Sequence, residues 1–462
     1  MQGEAANAPV LQASDANRHE GHEGVERRRR IKDQSPPPLD TVHAEQEILI
    51  SPKVDAALER ARGFFALSLA WPVALLCRDF CVEGCRARKR QLVHEGAEQV
   101  LRIQQACRTE LADRYFSFWA FFAEEEFYLL SLPVLHWNID SRFARQIFFV
   151  VSGGLVWGNL LKDVFQLPRP KHFEPKVWMP STVQEVDTTA CRDFGFPSTH
   201  AMNSVSNSLF TVLYRLRHSP TAPRATGVGA MLLLAGAWVF SIAFGRLYLG
   251  VHSPLDVKAG LLQGLFIALV AQWPLALCEH VDRWLLTAPH ANSCLLLLLA
   301  VVLVLHPRPR PATPTFLQNC ELCGMIFGTA AGFRMEADRR AGRGPLGLGV
   351  GSEAAAALRA GSNALALPLL ALRTAVGCVL VLLTRVALKA LFVRAFCTVG
   401  LDPRPPKLAP RKEAGDTAQR DIKGWDLWAA AVTKVAVYAA LTWAVVCGCP
   451  AFFEVVLGLP CE

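Results

Sequence analysis

Eight apolar runs of near-bilayer length constrain this chain more than any other feature of it. A helix needs about 20 apolar residues to cross the hydrocarbon core. Runs near 115–137, 145–161, 201–217, 227–249, 257–278, 292–306, 365–388 and 427–449 approach that length, and a weaker one lies near 318–334. Of the 462 residues, 52% are hydrophobic and 19% charged, where a soluble domain carries roughly a quarter charged residues. The sequence therefore predicts an all-α, polytopic membrane helical bundle with about 8–10 transmembrane helices.

Four regions are expected along the chain. Residues 1–62 carry "RRRR" at 27–30 and "SPPP" at 35–38 with few large apolar side chains, the composition of a disordered, partly basic tail. No apolar core stands near Met1, so no cleavable signal peptide is expected. Residues 63–110 read as an interfacial or membrane-associated segment, because the run at 63–77 is short and interrupted by Pro72. Residues 111–280 form the predicted transmembrane core, and 281–462 supply further transmembrane helices. The net charge of +8 is scattered between spans. That pattern suits anionic lipid headgroups and lacks the basic, aromatic-lined face of a nucleic-acid site.

The fourteen cysteines fall mostly inside apolar runs and form no disulfide framework. Cys320 and Cys323 make a CxxC without a second pair at zinc-site spacing. Cys77, Cys81 and Cys85 recur on one helical face beside the basic "RARKR" at 86–90. S-acylation could occur there, but packing of three small side chains is the simpler reading.

Polar residues are costly at membrane depth, so their positions are informative. They concentrate in three loops: "LKDVFQLPRPKHFEPKVW" at 161–178, "CRDFGFPSTHAMN" at 191–203 and "FGRLYLGVHSPLDVKAG" at 244–260. No span separates the first two loops and two spans separate the second from the third, so all three lie on one membrane face. Arg142, and Arg215, Arg217 and Arg224, mark the opposite loops. The positive-inside tendency puts those arginines in the cytosol and the polar loops on the lumenal or extracellular side.

Together the three loops hold Lys162, Arg169 and Arg246 as cations and His200 and His252 as titratable imidazoles. Converging cations suit a tetrahedral phosphate, Arg as a planar fork and Lys as a point charge. Ser198 is a candidate N-cap, and Ser253 followed by Pro254 reads as a second helix start. Both starts offer backbone N–H groups to an anion. Cleaving an alkyl phosphate needs a proton for the leaving oxygen and gains from a nucleophile, and two histidines supply both. Asp256 could orient His252, although Ser253 with Asp256 also fits a capping box that needs no catalysis. A single arginine or lysine at a span end ordinarily snorkels to headgroups. The joint occurrence on one face is what favours a site.

These residues resemble the type 2 phosphatidic acid phosphatase superfamily. "KDVFQLPRP" fits KxxxxxxRP, "PSTH" fits PSGH with Thr199 for Gly, and "GRLYLGVHSPLD" fits SRxxxxxHxxxD with Gly245 for Ser. "PSTHAM" and the C-terminal stretch at 371–392 are similar to the sphingosine-1-phosphate and long-chain-base phosphate phosphatase branch. The resemblance implies a metal-independent phosphoric monoester hydrolase with no cofactor, acting on a lipid phosphate among membrane lipids. It implies His252 as nucleophile, His200 as proton donor to the leaving group and Asp256 as orienting carboxylate. Lys162, Arg169, Ser198 and Arg246 would bind phosphate. It also implies the endoplasmic reticulum membrane, with the site on the lumenal face. Phosphatidate or a polyprenyl diphosphate as substrate, or a transporter or scaffold on the same fold, are the rival readings.

The triple Glu at 124–126 interrupts an apolar run. At least one carboxylate should face the bundle or a polar cavity. An interhelical polar contact is the simpler expectation, and contact with the amine of a sphingoid substrate the alternative.

Overall fold

The computed structural model describes residues 60–62, 86–180, 194–219, 225–272, 276–308, 313–342, 363–404 and 424–457. The chain divides into Met1–Leu49 and Ile50–Glu462, and the architecture below belongs to the second unit. The expected basic tail, the run at 63–77 and Cys77, Cys81 and Cys85 lie outside the described residues.

Among the described residues every regular element is helical. The first helices are α1 (Arg86–Cys107), α2 (Glu110–Phe121), α3 (Glu125–Asn138) and α4 (Ser141–Phe165). The core continues with α5 (Thr199–His218), α6 (Ala225–Tyr248) and α7 (Pro254–Gln272). Then follow α8 (Leu277–Thr287), α9 (Ala291–Leu305), α10 (Thr315–Arg340), α11 (Asn363–Thr398), α12 (Gly424–Trp443) and α13 (Cys449–Val455).

Among the described residues five segments are long and apolar enough to cross a membrane: Ser141–His172, Thr226–Tyr248, Pro254–Gln272, Leu370–Thr398 and Trp425–Val455. A sixth arises if α8 and α9, bent by 119°, form one broken span. The helix α5 stands in the core but is diluted by Asn203, Ser204, Ser206 and Asn207, all buried. The weak run near 318–334 is the long helix α10, packed against α4 and α12.

The run at 115–137 is two helices, with a break at Phe122–Glu124. Consecutive carboxylates cannot all be sheltered on one side of a helix in apolar surroundings, and the break lets Glu124 turn inward with extended backbone (φ −79°, ψ 158°). The Arg246 guanidinium donates to the Ala120 carbonyl at 3.3 Å, satisfying part of the exposed end of α2.

Side-chain caps fix the starts of α2 and α4. Thr109 Oγ1 accepts from Ala112 N–H at 3.2 Å, and Asp140 Oδ1 accepts from Phe143 N–H at 2.8 Å. At its far end α4 stops at Gln166, which adopts the left-handed region (φ 52°) and donates its N–H to Lys162 O. This turn swings the chain away immediately after Lys162, so that residues 167–170 run back across the bundle end.

α5 and α7 pack backbone to backbone. A Cβ at Gly260 would lie 2.4 Å from Ser198 O, and one at Gly264 would lie 2.2 Å from Met202 O. Small residues four apart are the usual device for close approach of membrane helices. Gly264→Leu is accordingly expected to separate the two helices and destabilise the protein by about 1–3 kcal/mol, the usual cost of overpacking. Thermal melting of the detergent-solubilised variant checks this, and an unchanged midpoint would refute the packing account.

The C-terminal helices are bolted to the core by buried polar pairs. Asn159 donates to Asn319 Oδ1 at 3.0 Å, and the Thr313 and Thr315 hydroxyls donate to Asp163. At the opposite end Arg145 pairs with Asp282 and Arg217 with Glu279 at 3.1 Å. Cys320 and Cys323 are both buried and belong to two different apolar clusters.

Candidate functional site

The three polar loops meet at one end of the core bundle. Their backbones are stitched directly to one another. Gly195 N–H donates to Leu167 O at 2.7 Å, and Ser198 N–H donates to Asp256 O at 3.1 Å. The Arg169 guanidinium donates to Val251 O at 3.2 Å. Gly195 is where loops one, two and three converge: a Cβ there would sit 3.5 Å from Arg169 Cγ and 3.0 Å from Asp256 Oδ2.

Each candidate residue is placed by the end of a helix. Lys162 lies in the last turn of α4 and is buried, as is Arg169 in the following loop. Ser198 is fully buried and caps α5, its hydroxyl accepting from Ala201 N–H at 3.4 Å. His200 follows in the first turn. Arg246 lies in the last turn of α6, and its carbonyl accepts from the N–H groups of Val251 at 3.2 Å and His252 at 3.3 Å. That reverse turn passes through Gly250, whose φ of +74° favours glycine, and it holds His252 beside Arg246.

At α7 the capping box is formed. Ser253 N–H donates to Asp256 Oδ2 at 2.7 Å, and Asp256 N–H donates to Ser253 Oγ at 3.2 Å. The same Oδ2 stands 3.6 Å from His252 Nδ1. The two readings of Asp256 thus coexist in one position: it caps the helix and backs the imidazole. A separation beyond hydrogen-bonding range is common before substrate tightens a site.

His200 and His252 face each other with ring centroids 6.2 Å apart. Both ring nitrogens of His252, and Nδ1 of His200, are buried without a hydrogen-bond partner. Buried polar atoms are rarely left so, and three of them lie on these two facing rings. Burial foremost, then the charges of Arg169, His200, Lys162 and Arg246, hold His252 well below its ordinary value of 6.5. The charges of all three predicted cations are thus felt at His252. Such an arrangement can receive an anion, present a neutral imidazole to it and supply a second imidazole on the other side.

One member of the site was not assigned from sequence. Glu124 Oε1 lies 3.2 Å from Arg246 and Oε2 lies 3.7 Å from His200 Nε2. The triple Glu stands in the sequence, and the helix break places the Glu124 carboxylate beside Arg246. Both departures from the motif pattern have local explanations. A Cβ at Gly245 would meet Phe116 Cδ1 at 3.2 Å, so a serine there would point at α2. Thr199 fits because Gly158 faces it: a Cβ at Gly158 would lie 2.4 Å from Thr199 Cγ2. Among the described residues no group of three or more His, Cys, Asp and Glu forms a metal-ligand set.

Fold and site together define a membrane helical bundle with a cluster of cations and two histidines at one end. Residues 143–276 match the PAP2 superfamily. It is similar to a lipid phosphate phosphatase delta of Arabidopsis thaliana, 31% identical over 53% of this chain and 56% of the relative. It is also similar to a probable sphingosine-1-phosphate phosphatase of Dictyostelium discoideum, 26% identical over 49% of this chain and 54% of the relative. A dihydrosphingosine 1-phosphate phosphatase of Schizosaccharomyces pombe is 26% identical over 55% of this chain and 60% of the relative. The chain spans a little over half the length of these relatives.

Proposed function

We propose that this protein is a membrane-embedded lipid phosphate phosphatase that hydrolyses sphingosine 1-phosphate or a related long-chain-base phosphate to the free base and inorganic phosphate. The observation that carries the reading is the pair of facing imidazoles, 6.2 Å apart, with unpartnered buried nitrogens and three surrounding cations. The printed names of the relatives support the substrate class: two concern sphingoid-base phosphates, while one refers to lipid phosphates generally.

In the proposed reaction Lys162, Arg169 and Arg246 hold the phosphate oxygens, with the first turn of α5 behind Ser198 adding backbone donors. Asp256 backs Nδ1 of His252, leaving Nε2 to attack phosphorus. The bond from phosphorus to the ester oxygen breaks, and His200 passes its proton to that oxygen as the alcohol departs. The neutral His200 then takes a proton from water, which attacks the phosphohistidine and frees His252. Inorganic phosphate leaves. No metal takes part in this scheme.

The arginine-rich opposite end, where Arg217 also donates to Gln272 O at 3.0 Å, supports a cytosolic placement of that end by the positive-inside tendency. The site then faces the lumen, and the endoplasmic reticulum is the proposed membrane.

The depressed titration of His252 has a readable consequence. Protonation removes the nucleophile, so activity falls as pH drops through the folded value, and that value lies below 6.5. Phosphoenzyme formation from an aryl phosphate, whose leaving group needs little help from the acid His200, is expected to hold steady from neutrality down past pH 6.5 in single-turnover assays. Half-loss at 6.5 would show an unshifted imidazole.

The direct test of the function is phosphate release by purified protein from sphingosine 1-phosphate, phosphatidate and a polyprenyl diphosphate, with chelator present. Preferred release from the sphingoid substrate is expected. Release that stops in chelator would contradict the mechanism, and preferred hydrolysis of another lipid would reassign the substrate.

A further inference from the structure

We propose that Glu124 is the specificity-determining residue that recognises the ammonium group of a long-chain-base phosphate; this rests on the phosphatase reading above. The carboxylate lies at the break between α2 and α3, 3.2 Å from Arg246 and 3.7 Å from His200 Nε2. It is placed differently from the other members of the site. Its side chain is 41% exposed, whereas that of Arg246 is 5% exposed and that of His252 is 1% exposed. Glu124 therefore stands at the mouth, and the cations stand behind it.

A carboxylate in this position is a liability for a pocket that binds only a phosphate. It repels the dianion and neutralises part of Arg246, one of three cations that would hold it. A substrate that brings its own positive charge reverses that balance. In a long-chain-base phosphate the ammonium-bearing carbon is bonded to the carbon that carries the ester oxygen. That ester oxygen is the atom to which His200 delivers its proton. An ammonium so close to the leaving oxygen falls in the space between His200 and the mouth, where Glu124 waits.

The surroundings fit the rest of the molecule. Phe122 and Phe127 pack edge-on at 5.2 Å, and both stack near Trp238 of α6. Phe121, the last residue of α2 before the break, is half exposed. An alkyl chain leaving the site beside Glu124 would meet these rings at once, and a charge pair flanked by aromatic surface loses little to water. Phosphatidate and lysophosphatidate place a neutral oxygen substituent where the sphingoid amine stands, and an N-acylated base phosphate places a neutral amide there. None gains from the carboxylate.

The experiment compares kcat/KM of the purified full chain in mixed micelles on three phosphomonoesters: dihydrosphingosine 1-phosphate, its N-acetyl derivative and lysophosphatidate. Wild type is expected to favour the free amine. In Glu124→Gln the preference for amine over N-acetyl substrate is expected to fall by about tenfold, the scale of one desolvated charge-assisted contact. Glu124→Asp, which keeps the charge, should restore part of it. An equal loss on all three substrates in Glu124→Gln would overturn the proposal, since it would mean Glu124 acts only through His200 or Arg246. So would a wild-type enzyme that hydrolyses all three alike. A wild-type protein that releases phosphate from none of them would instead sink the phosphatase reading itself.

Discussion

His252→Ala is expected to release no measurable phosphate while accumulating in membranes at wild-type levels. The loss should be on the order of 10⁴-fold or more, because removal of the attacking group leaves only electrostatic stabilisation of the phosphate by the remaining cations. The retained fold follows from the contacts. His252 side-chain nitrogens make no hydrogen bond that the truncation would orphan. The loop is held instead by backbone bonds to Arg246 and by the Ser253–Asp256 box. Size-exclusion behaviour of the solubilised variant, measured beside phosphate release, separates the two effects. A folded variant with substantial turnover would place the nucleophile elsewhere.

His200→Ala should be nearly as damaging to lipid substrates, by about 10²–10⁴-fold, the usual contribution of a general acid. Its defect has a signature that loss of the nucleophile lacks. An aryl phosphate leaves as a stabilised phenolate and needs little protonation, so first-step phosphorylation by His200→Ala should recover with such a substrate. His252→Ala should remain inactive with either. The test is pre-steady-state release of an aryl alcohol from both variants. Equal defects toward alkyl and aryl esters in His200→Ala would argue that His200 binds phosphate without delivering the proton.

Much of the candidate site was legible because its polar residues are widely spaced but recur at the ends of apolar runs. Lys162, Arg169, His200, Arg246, His252 and Asp256 sit at helix ends, where span counting alone places their loops on one face. The structure brings these loops to one point through backbone bonds such as Ser198 to Asp256, which no hydropathy pattern records. Glu124 was harder to read. Three identical neighbours look alike in sequence, and the place of Glu124 depends on a helix break where Arg246 of another helix donates to Ala120 O at 3.3 Å.

The fold shows the same division. Apolar runs locate α4, α6, α7, α11 and α12, whose lipid-facing sides are genuinely apolar. Helices sheltered by others are less visible. α5 carries buried Asn and Ser that satisfy themselves within the bundle, such as Ser204 Oγ donating to Ala201 O at 2.8 Å. α10 reads as a weak span because its Asn319 answers Asn159 at 3.0 Å and Thr315 answers Asp163. Composition along one segment cannot show a partner that lies more than a hundred residues away. The Gly245 departure belongs here too, since its reason is Phe116 on another helix.

The most direct measurement is a rapid-quench reaction of purified protein with sphingosine 1-phosphate labelled with ³²P, followed by mapping of the labelled residue. Acid-labile, base-stable label on His252, forming and decaying at rates that support turnover and absent from His252→Ala, is the predicted result. Turnover that proceeds with no phosphohistidine, or label on any other residue, would contradict the account.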